Sequence, residues 1–307
     1  MTIKLAGMEL EHPIMVAPGM VKTLAEFEAA VNSSASAIVL GSLTGTYSER
    51  VGNPEPRSYY DHELGYMLNA MGLPDPGLDY YDYWHSRWLM LLGMAREAGK
   101  RVILSFAPME YPVGWYGLLK HFKDWQLDAI ELNLGCPNVW SERQQKLILS
   151  FDIEGIETHL LDLATFWRGP IGLKVSPYSN PVELAHVAER IAGLAAGTVE
   201  NRLYIASTNT FPNAVVIDDG KPYLSTKYGG FSGPAYKPIA LGQVLQWVEA
   251  LRGCGSPIPV VGVGGITSGS DVSEFLACGA AAVQVAANYW QYGPSSMERL
   301  VAQWVDT

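Results

Sequence analysis

Cysteine is scarce: Cys136, Cys254 and Cys278 are the whole complement of the 307-residue chain. They have no CxxC spacing and no histidine partner at metal-ligand distance in sequence, which argues against a disulfide framework and against a bound metal. Charge is also sparse, at 17% of residues, and sums to a formal −10. No dense Lys/Arg run is present to neutralise a phosphate backbone, so nucleic acid is not an expected partner. No uninterrupted apolar stretch approaches the roughly 18 residues a membrane span requires. The start, MTIKLAGMELEHPIMVAPG, mixes Lys4, Glu9, Glu11 and His12 into its apolar residues and leaves no room for a signal-peptide core. These absences lead us to expect a cytoplasmic protein with free thiols and no membrane contact.

Apolar residues are plentiful, at 48%. They collect in eight short runs, each followed by a helical pattern: Ile14–Pro18, Ala37–Ser42, Val102–Ala107, Ala129–Leu134, Ile171–Pro177, Leu203–Asn209, Ile258–Gly264 and Ala282–Asn288. Continuous rather than alternating hydrophobicity marks strands buried on both faces. Caps support the helices between them. Thr23 with Glu26 makes a capping-box pattern, Pro181 and Pro238 suit a first helical turn, and Gly99 and Gly169 follow helix ends.

Eight βα units with no GxGxxG after the first strand predict a single-domain α/β fold over residues 1–307, a (β/α)8 TIM barrel rather than a Rossmann sheet. Two connections, Leu43–Tyr80 after strand two and Phe211–Tyr236 after strand six, are too long to be simple links. Loops of that length usually build a site or a lid.

In a barrel, residues just past the C-terminal ends of strands face one mouth. Here those positions hold Ala17-Pro18-Gly19, Asn133 through Asn138, Lys174 with Ser176, and Asn209-Thr210, while the second loop adds Asn69 through Pro74. Strand seven runs into Gly262-Val263-Gly264-Gly265-Ile266. A glycine cluster also serves ordinary tight turns, but after the seventh strand it occupies the barrel phosphate position, which makes the amides around Gly264, Gly265, Ala287 and Asn288 a phosphate cradle. Lys174 is the only lysine in any of the eight runs. The bland reading is a lysine snorkelling to the surface; the functional one is a fixed charge beside an electron-accepting ring. Cys254 and Cys278 read as small hydrophobes, whereas Cys136 lies between Asn133 and Asn138 in a mouth loop, where a thiol serves as a general base.

The motifs NLGCPN (133–138), NAMGLPD (69–75), GNPEPR (52–57), GLKVSPY (172–178), GGFSGPAYKP (229–238) and GVGGITSG (262–269) together resemble those of class 1 dihydroorotate dehydrogenases, in order and spacing, across essentially the whole chain. The resemblance implies an FMN-dependent oxidoreductase of pyrimidine biosynthesis that turns dihydroorotate into orotate, with a soluble acceptor such as fumarate, as a homodimer. It implies Cys136 as the base that takes a proton from one ring carbon while the neighbouring carbon passes hydride to the flavin, and Lys174 near the flavin's pyrimidine edge. It places the flavin against Ala17, Gly19, Ser42, Asn133, Lys174 and Gly233, with its phosphate at Gly264, Gly265, Ala287 and Asn288. Substrate contacts fall to Asn69, Met71, Gly72, Leu73, Asn133, Asn138, Asn209 and Thr210. Class 2 relatives carry serine as base and an N-terminal membrane-associating extension, which this chain lacks.

One position departs from the pattern. The family carries a lysine at the end of strand two, near the flavin and the substrate carboxylate; AIVLGSLTGTYSER (37–50) has none, and Gly41 or Leu43 stands there, with Arg50 and Arg57 nearby. That leaves a second reading open: the same machinery acting, by desaturation or reduction, on another cyclic amide or amino-acid-derived ring without the carboxylate.

Overall fold

A computed structural model describes residues 2–108, 114–141 and 144–306. The eight apolar runs form eight parallel strands: β1 (Ile14–Val16), β2 (Ala37–Leu43), β3 (Arg101–Phe106), β4 (Ala129–Asn133), β5 (Ile171–Val175), β6 (Leu203–Ser207), β7 (Val260–Val263) and β8 (Ala282–Val285). Each pairs with its sequence neighbours and β8 pairs with β1, closing the sheet into a barrel. The expected (β/α)8 architecture is the one observed.

Helices α1 (Leu24–Val31), α2 (His85–Glu97), α3 (Gly114–His121), α4 (Ile153–Phe166), α5 (Pro181–Ala195), α6 (Lys237–Gly253), α7 (Gly269–Ala277) and α8 (Ser295–Val305) surround it. Their starts follow the local chemistry. Thr23 and Glu26 make a reciprocal capping box on α1, Asn180 caps α5 with Pro181 in its first turn, and Ser268 with Asp271 makes a second capping box on α7. Gly99 follows α2 in a left-handed conformation. Gly169 does not cap α4, because Trp167 is already extended and its indole donates to the Pro170 carbonyl at 2.9 Å.

The strands carry apolar side chains on both faces for different reasons. Ile38, Leu40, Val102, Leu104, Ile130 and Leu132 pack outward on the helices, within one large buried cluster. Met15, Ala37, Val39, Ile103, Ala129, Tyr204 and Val261 belong to a second cluster, joined by Leu5, Met8 and Leu10. Those last residues come from an N-terminal hairpin, Ile3–Leu5 paired with Met8–Leu10, that closes the barrel floor. At fractional exposures of 0–5% their burial stabilises the fold by roughly 25 cal/mol for each Å² of apolar area removed from water.

The two long connections are not independent. Ser58–Asp61 and Tyr66–Asn69 from the loop after β2 join Gly229–Ser232 and Phe211–Ala214 from the loop after β6 in one four-stranded antiparallel sheet. Leu68, Ala70 and Leu224 form its small buried core. This sheet walls one side of the barrel mouth, so both loops are shaped by pairing with each other.

Candidate active site

At the mouth lies a cavity of about 580 Å³, walled by the ends of the strands, the four-stranded sheet and the turns after β7 and β8. Strand ends supply its polar groups in an ordered chain. Asn209 Nδ2 donates to Asn133 Oδ1 at 2.9 Å, Asn133 Nδ2 to Ser42 Oγ at 2.9 Å, and Ser42 meets Ser105 at 3.3 Å. A second pair, Asn138 Nδ2 to Asn69 Oδ1 at 3.0 Å, ties the loop after β4 to the sheet. Asn53 fixes that junction by donating to the carbonyls of Asn138 and Ala70. Orienting amides in this way fixes which edge of each faces the cavity, a precondition for recognising a planar amide ring.

Cys136 stands on this wall, half-buried, between those asparagines. Burial pushes its thiol above the ordinary cysteine range, while the Asn138 amide and the positive charges of Lys22 and Arg50 pull it down. Cys254, by contrast, is exposed and Cys278 half-buried outside the cavity.

Below the cavity, Lys174 is 5% exposed, which removes the surface reading of this lysine. Its ammonium donates to Gln284 Oε1 at 3.0 Å; Gln284 Nε2 donates to Glu131 Oε2 at 2.6 Å, which also accepts from Tyr204 Oη at 3.0 Å. Tyr204 reaches Glu131 across space that Gly172 leaves open: a Cβ on Gly172 would lie 2.3 Å from the tyrosine ring. Burial pushes Lys174 down to about 8, with the Glu131 carboxylate opposing that shift. Burial likewise raises Glu131, against Lys174 and the two donors. A buried cation held over a buried carboxylate is costly to assemble for stability alone.

On the opposite side the chain turns through Gly264 (φ +136°) and Gly265 (φ +72°). Side chains at these positions would collide with Ala240 and Tyr236 and with the Lys237 backbone, so glycine is needed for conformation and for space. Among the described residues the amides of Gly265, Ile266, Ala287 and Asn288 have no acceptor. Asn288 Nδ2, in a residue only 3% exposed, is also unpartnered. The start of α7 is different: Asp271 already accepts from the Thr267 and Ser268 amides and from Lys237 at 2.7 Å. On this side of the cavity the anion-ready donors thus lie on the two turns.

The comparisons with known proteins agree with this geometry. The family model described as Dihydroorotate dehydrogenase matches residues 1–305. The chain is 32% identical to the probable dihydroorotate dehydrogenase A (fumarate) of Enterococcus faecalis, over 98% of this chain and 92% of the relative. It is 32% identical to dihydroorotate dehydrogenase A (fumarate) of Lactococcus lactis subsp. lactis, over 97% and 91%. The chain belongs to the dihydroorotate dehydrogenase family.

As a dihydroorotate dehydrogenase family member of class 1 it is a flavoprotein oxidoreductase acting on CH–CH groups. The residues present fit a flavin nucleotide. The two turns offer unpaired amides to a phosphate, the Asn288 amide lacks a partner, and Lys174 supplies a buried charge at the cavity floor.

Every site residue expected from sequence except one lies on the cavity wall. Asn69, Met71, Gly72, Leu73, Asn133, Cys136, Asn138, Asn209 and Thr210 line it, as do Gly19, Ser42, Lys174, Gly233, Gly264, Gly265, Ala287 and Asn288. Ala17 is fully buried behind the wall, its amide bonded to the Val285 carbonyl, and Pro18, Gly19 and Met20 face the cavity instead. Neither Arg50 nor Arg57 reaches the wall: Arg50 Nε donates to the Gly72 carbonyl at 3.1 Å, and Arg57 pairs with Glu55 at 2.6 Å.

Sequence reasoning missed Glu131, Gln284 and Lys22. Glu131 carried a usable signal, since it is the only acidic residue in the eight strands, as Lys174 is the only lysine. Lys22 sits in a loop and gave none. No helix among the described residues is long and apolar enough to cross a membrane, and no cluster of described residues offers a metal-ligand set.

Proposed function

We propose that this chain oxidises dihydroorotate to orotate, with FMN in the mouth cavity and fumarate as the soluble acceptor, acting as a cytoplasmic homodimer. The observation that carries the reading is the placement of the Cys136 thiol in one cavity with oriented asparagines and the unpaired phosphate-ready turns. The relatives' names, which specify fumarate, support the choice of acceptor.

FMN supplies the hydride-accepting ring; the rest is chemistry of the chain. Asn69, Asn133, Asn138 and Asn209 present donors and acceptors to the pyrimidine's imide edges and hold its reacting face toward the cavity interior. Cys136, as thiolate, takes the proton from the ring carbon. Lys174 keeps positive charge at the cavity floor, where negative charge grows as the substrate is oxidised, and the Glu131–Gln284 pair keeps its ammonium in place. The sheet built from the two long loops limits water access.

The test uses the purified holoprotein. Its extracted flavin is identified by mass, dihydroorotate is added without oxygen, and fumarate follows. The reading predicts FMN, bleaching of the visible band by dihydroorotate, and recovery with fumarate. FAD, or a flavin left oxidised by millimolar dihydroorotate, contradicts it.

A further inference from the structure

The lysine that the resemblance implies at the end of the second strand has no counterpart in this chain, whose β2 reads AIVLGSL. A register shift between Gly41 and Leu43 turns Ser42 to the cavity and leaves Leu43 1% exposed in the outer core. On the cavity wall, among the described residues, the cations are Lys174 at the floor and Lys22 at the rim.

Lys22 is held by its backbone. Its amide donates to Glu26 Oε2 at 2.8 Å, an extension of the capping box that starts α1, and its carbonyl accepts from Tyr81 Oη at 2.9 Å. The side chain therefore starts from a fixed point. Its ammonium donates to the Pro74 carbonyl, at the end of the segment Met71-Gly72-Leu73-Pro74. An ammonium has three donors, and no carboxylate lies within ion-pair distance of this one among the described residues. Neighbouring Asp75 is committed elsewhere, accepting from the Thr44 amide at 2.6 Å, the Thr44 hydroxyl at 2.9 Å and the Gly77 amide at 3.0 Å.

The same segment supplies an independent sign of an anion. Gly72 (φ +73°) and Leu73 (φ +55°) are consecutive left-handed residues, and among the described residues the amides of Met71, Gly72 and Leu73 have no acceptor. Successive amides in such a turn converge on a negative group. A leucine held at positive φ is strained, and such strain persists where surrounding structure enforces it, commonly at ligand clamps.

We propose that Lys22 is the cation that receives the substrate's carboxylate, together with the Met71–Leu73 amides, the task that the resemblance would give to a strand-two lysine. This rests on the dihydroorotate reading above and deepens it: the substrate ring carries a carboxylate, and a neutral ring is discriminated against at this corner. Burial lowers Lys22 below the usual lysine range, as a desolvated ammonium awaiting a counter-ion would be.

Titrating the holoprotein with orotate and with uracil, read from the flavin spectrum, tests it in the natural chain, Lys22→Gln, Lys22→Met and Lys22→Arg. Loss of a charged hydrogen bond predicts that Gln and Met weaken orotate binding roughly 10- to 100-fold while uracil binding, flavin content and Tm stay unchanged, and that Arg restores most of the affinity. Unchanged orotate affinity in Gln and Met, or equal weakening of orotate and uracil, overturns the assignment. A natural chain that holds flavin but binds no orotate overturns the dihydroorotate reading, and this proposal with it.

Discussion

At its N-terminal end the barrel is closed by Leu5, Met8 and Leu10, packed on Met15, Ile103 and Val261 in an apolar layer. At its C-terminal end the barrel presents Ser42, Asn133 and Lys174, from β2, β4 and β5, around an open cavity. Strand β4 shows the gradient within five residues: Ala129 in the floor cluster, Glu131 in the middle with one oxygen unpartnered, Asn133 at the mouth. The floor leaves little unsatisfied. The mouth leaves Thr210 Oγ1, Asn288 Nδ2 and the amides of the turns after β7 and β8 and of Met71–Leu73 without partners among the described residues. Where one scaffold satisfies its polar groups at one end and withholds satisfaction at the other, the second end is the one built for a ligand.

Substitutions at the two ends should therefore separate activity from stability. The largest effect is expected at Cys136. Cys136→Ala should slow reduction of the flavin by about 10²- to 10⁴-fold, with flavin content and Tm kept, as loss of a general base does. Cys254→Ala and Cys278→Ala should leave the rate near that of the natural chain, since neither reaches the cavity; equal losses in all three, measured by stopped flow, would erase the contrast. At the floor the expectation inverts. Leu10→Ala should cost about 2–5 kcal/mol in urea unfolding while kcat is retained. A drop in kcat with no change in stability would show that the floor is not merely structural.

A smaller effect tests the polar column between the ends. Lys174 loses its charge as pH rises through about 8, and Glu131 holds that value up. In Glu131→Gln the supporting charge is gone, so the pH at which flavin affinity of the apoprotein falls should move lower, as read by fluorescence titration. An unmoved limb would remove Glu131 as the group that positions Lys174. The smallest expected signature is the pH slope of the natural chain. Because burial raises the Cys136 thiol, the thiolate fraction grows as pH rises, and flavin reduction should still be accelerating through the ordinary cysteine range. A rate already flat below it would place the base elsewhere.

Much of this was legible in the sequence, for physical reasons. Strands such as Ala129–Asn133 and Ile171–Val175, buried on both faces, show as continuous apolar runs, and Thr23 with Glu26 or Asn180 with Pro181 mark helix starts by local hydrogen bonding. Mouth residues followed from the barrel rule that strand ends converge. What stayed hidden depends on pairing between distant segments. Met67–Asn69 meets Gly230–Ser232 across more than a hundred and fifty residues of chain, and no local pattern announces it. Lys22 acquires its place only because Tyr81 and Pro74, far along the sequence, close around it. The floor hairpin was invisible because Ile3–Leu5 and Met8–Leu10 are too short to stand out from an ordinary mixed terminus.

The proposed role of the Cys136 thiol, as base opposite a flavin at the open end of the barrel, is open to a direct test. Single-turnover mixing of dihydroorotate with the holoprotein, without oxygen, addresses it directly when natural chain and Cys136→Ala are run side by side. Rapid loss of the oxidised flavin band is expected in the first, and a flavin that stays bound but oxidised on that timescale in the second. Equal bleaching in both would contradict it.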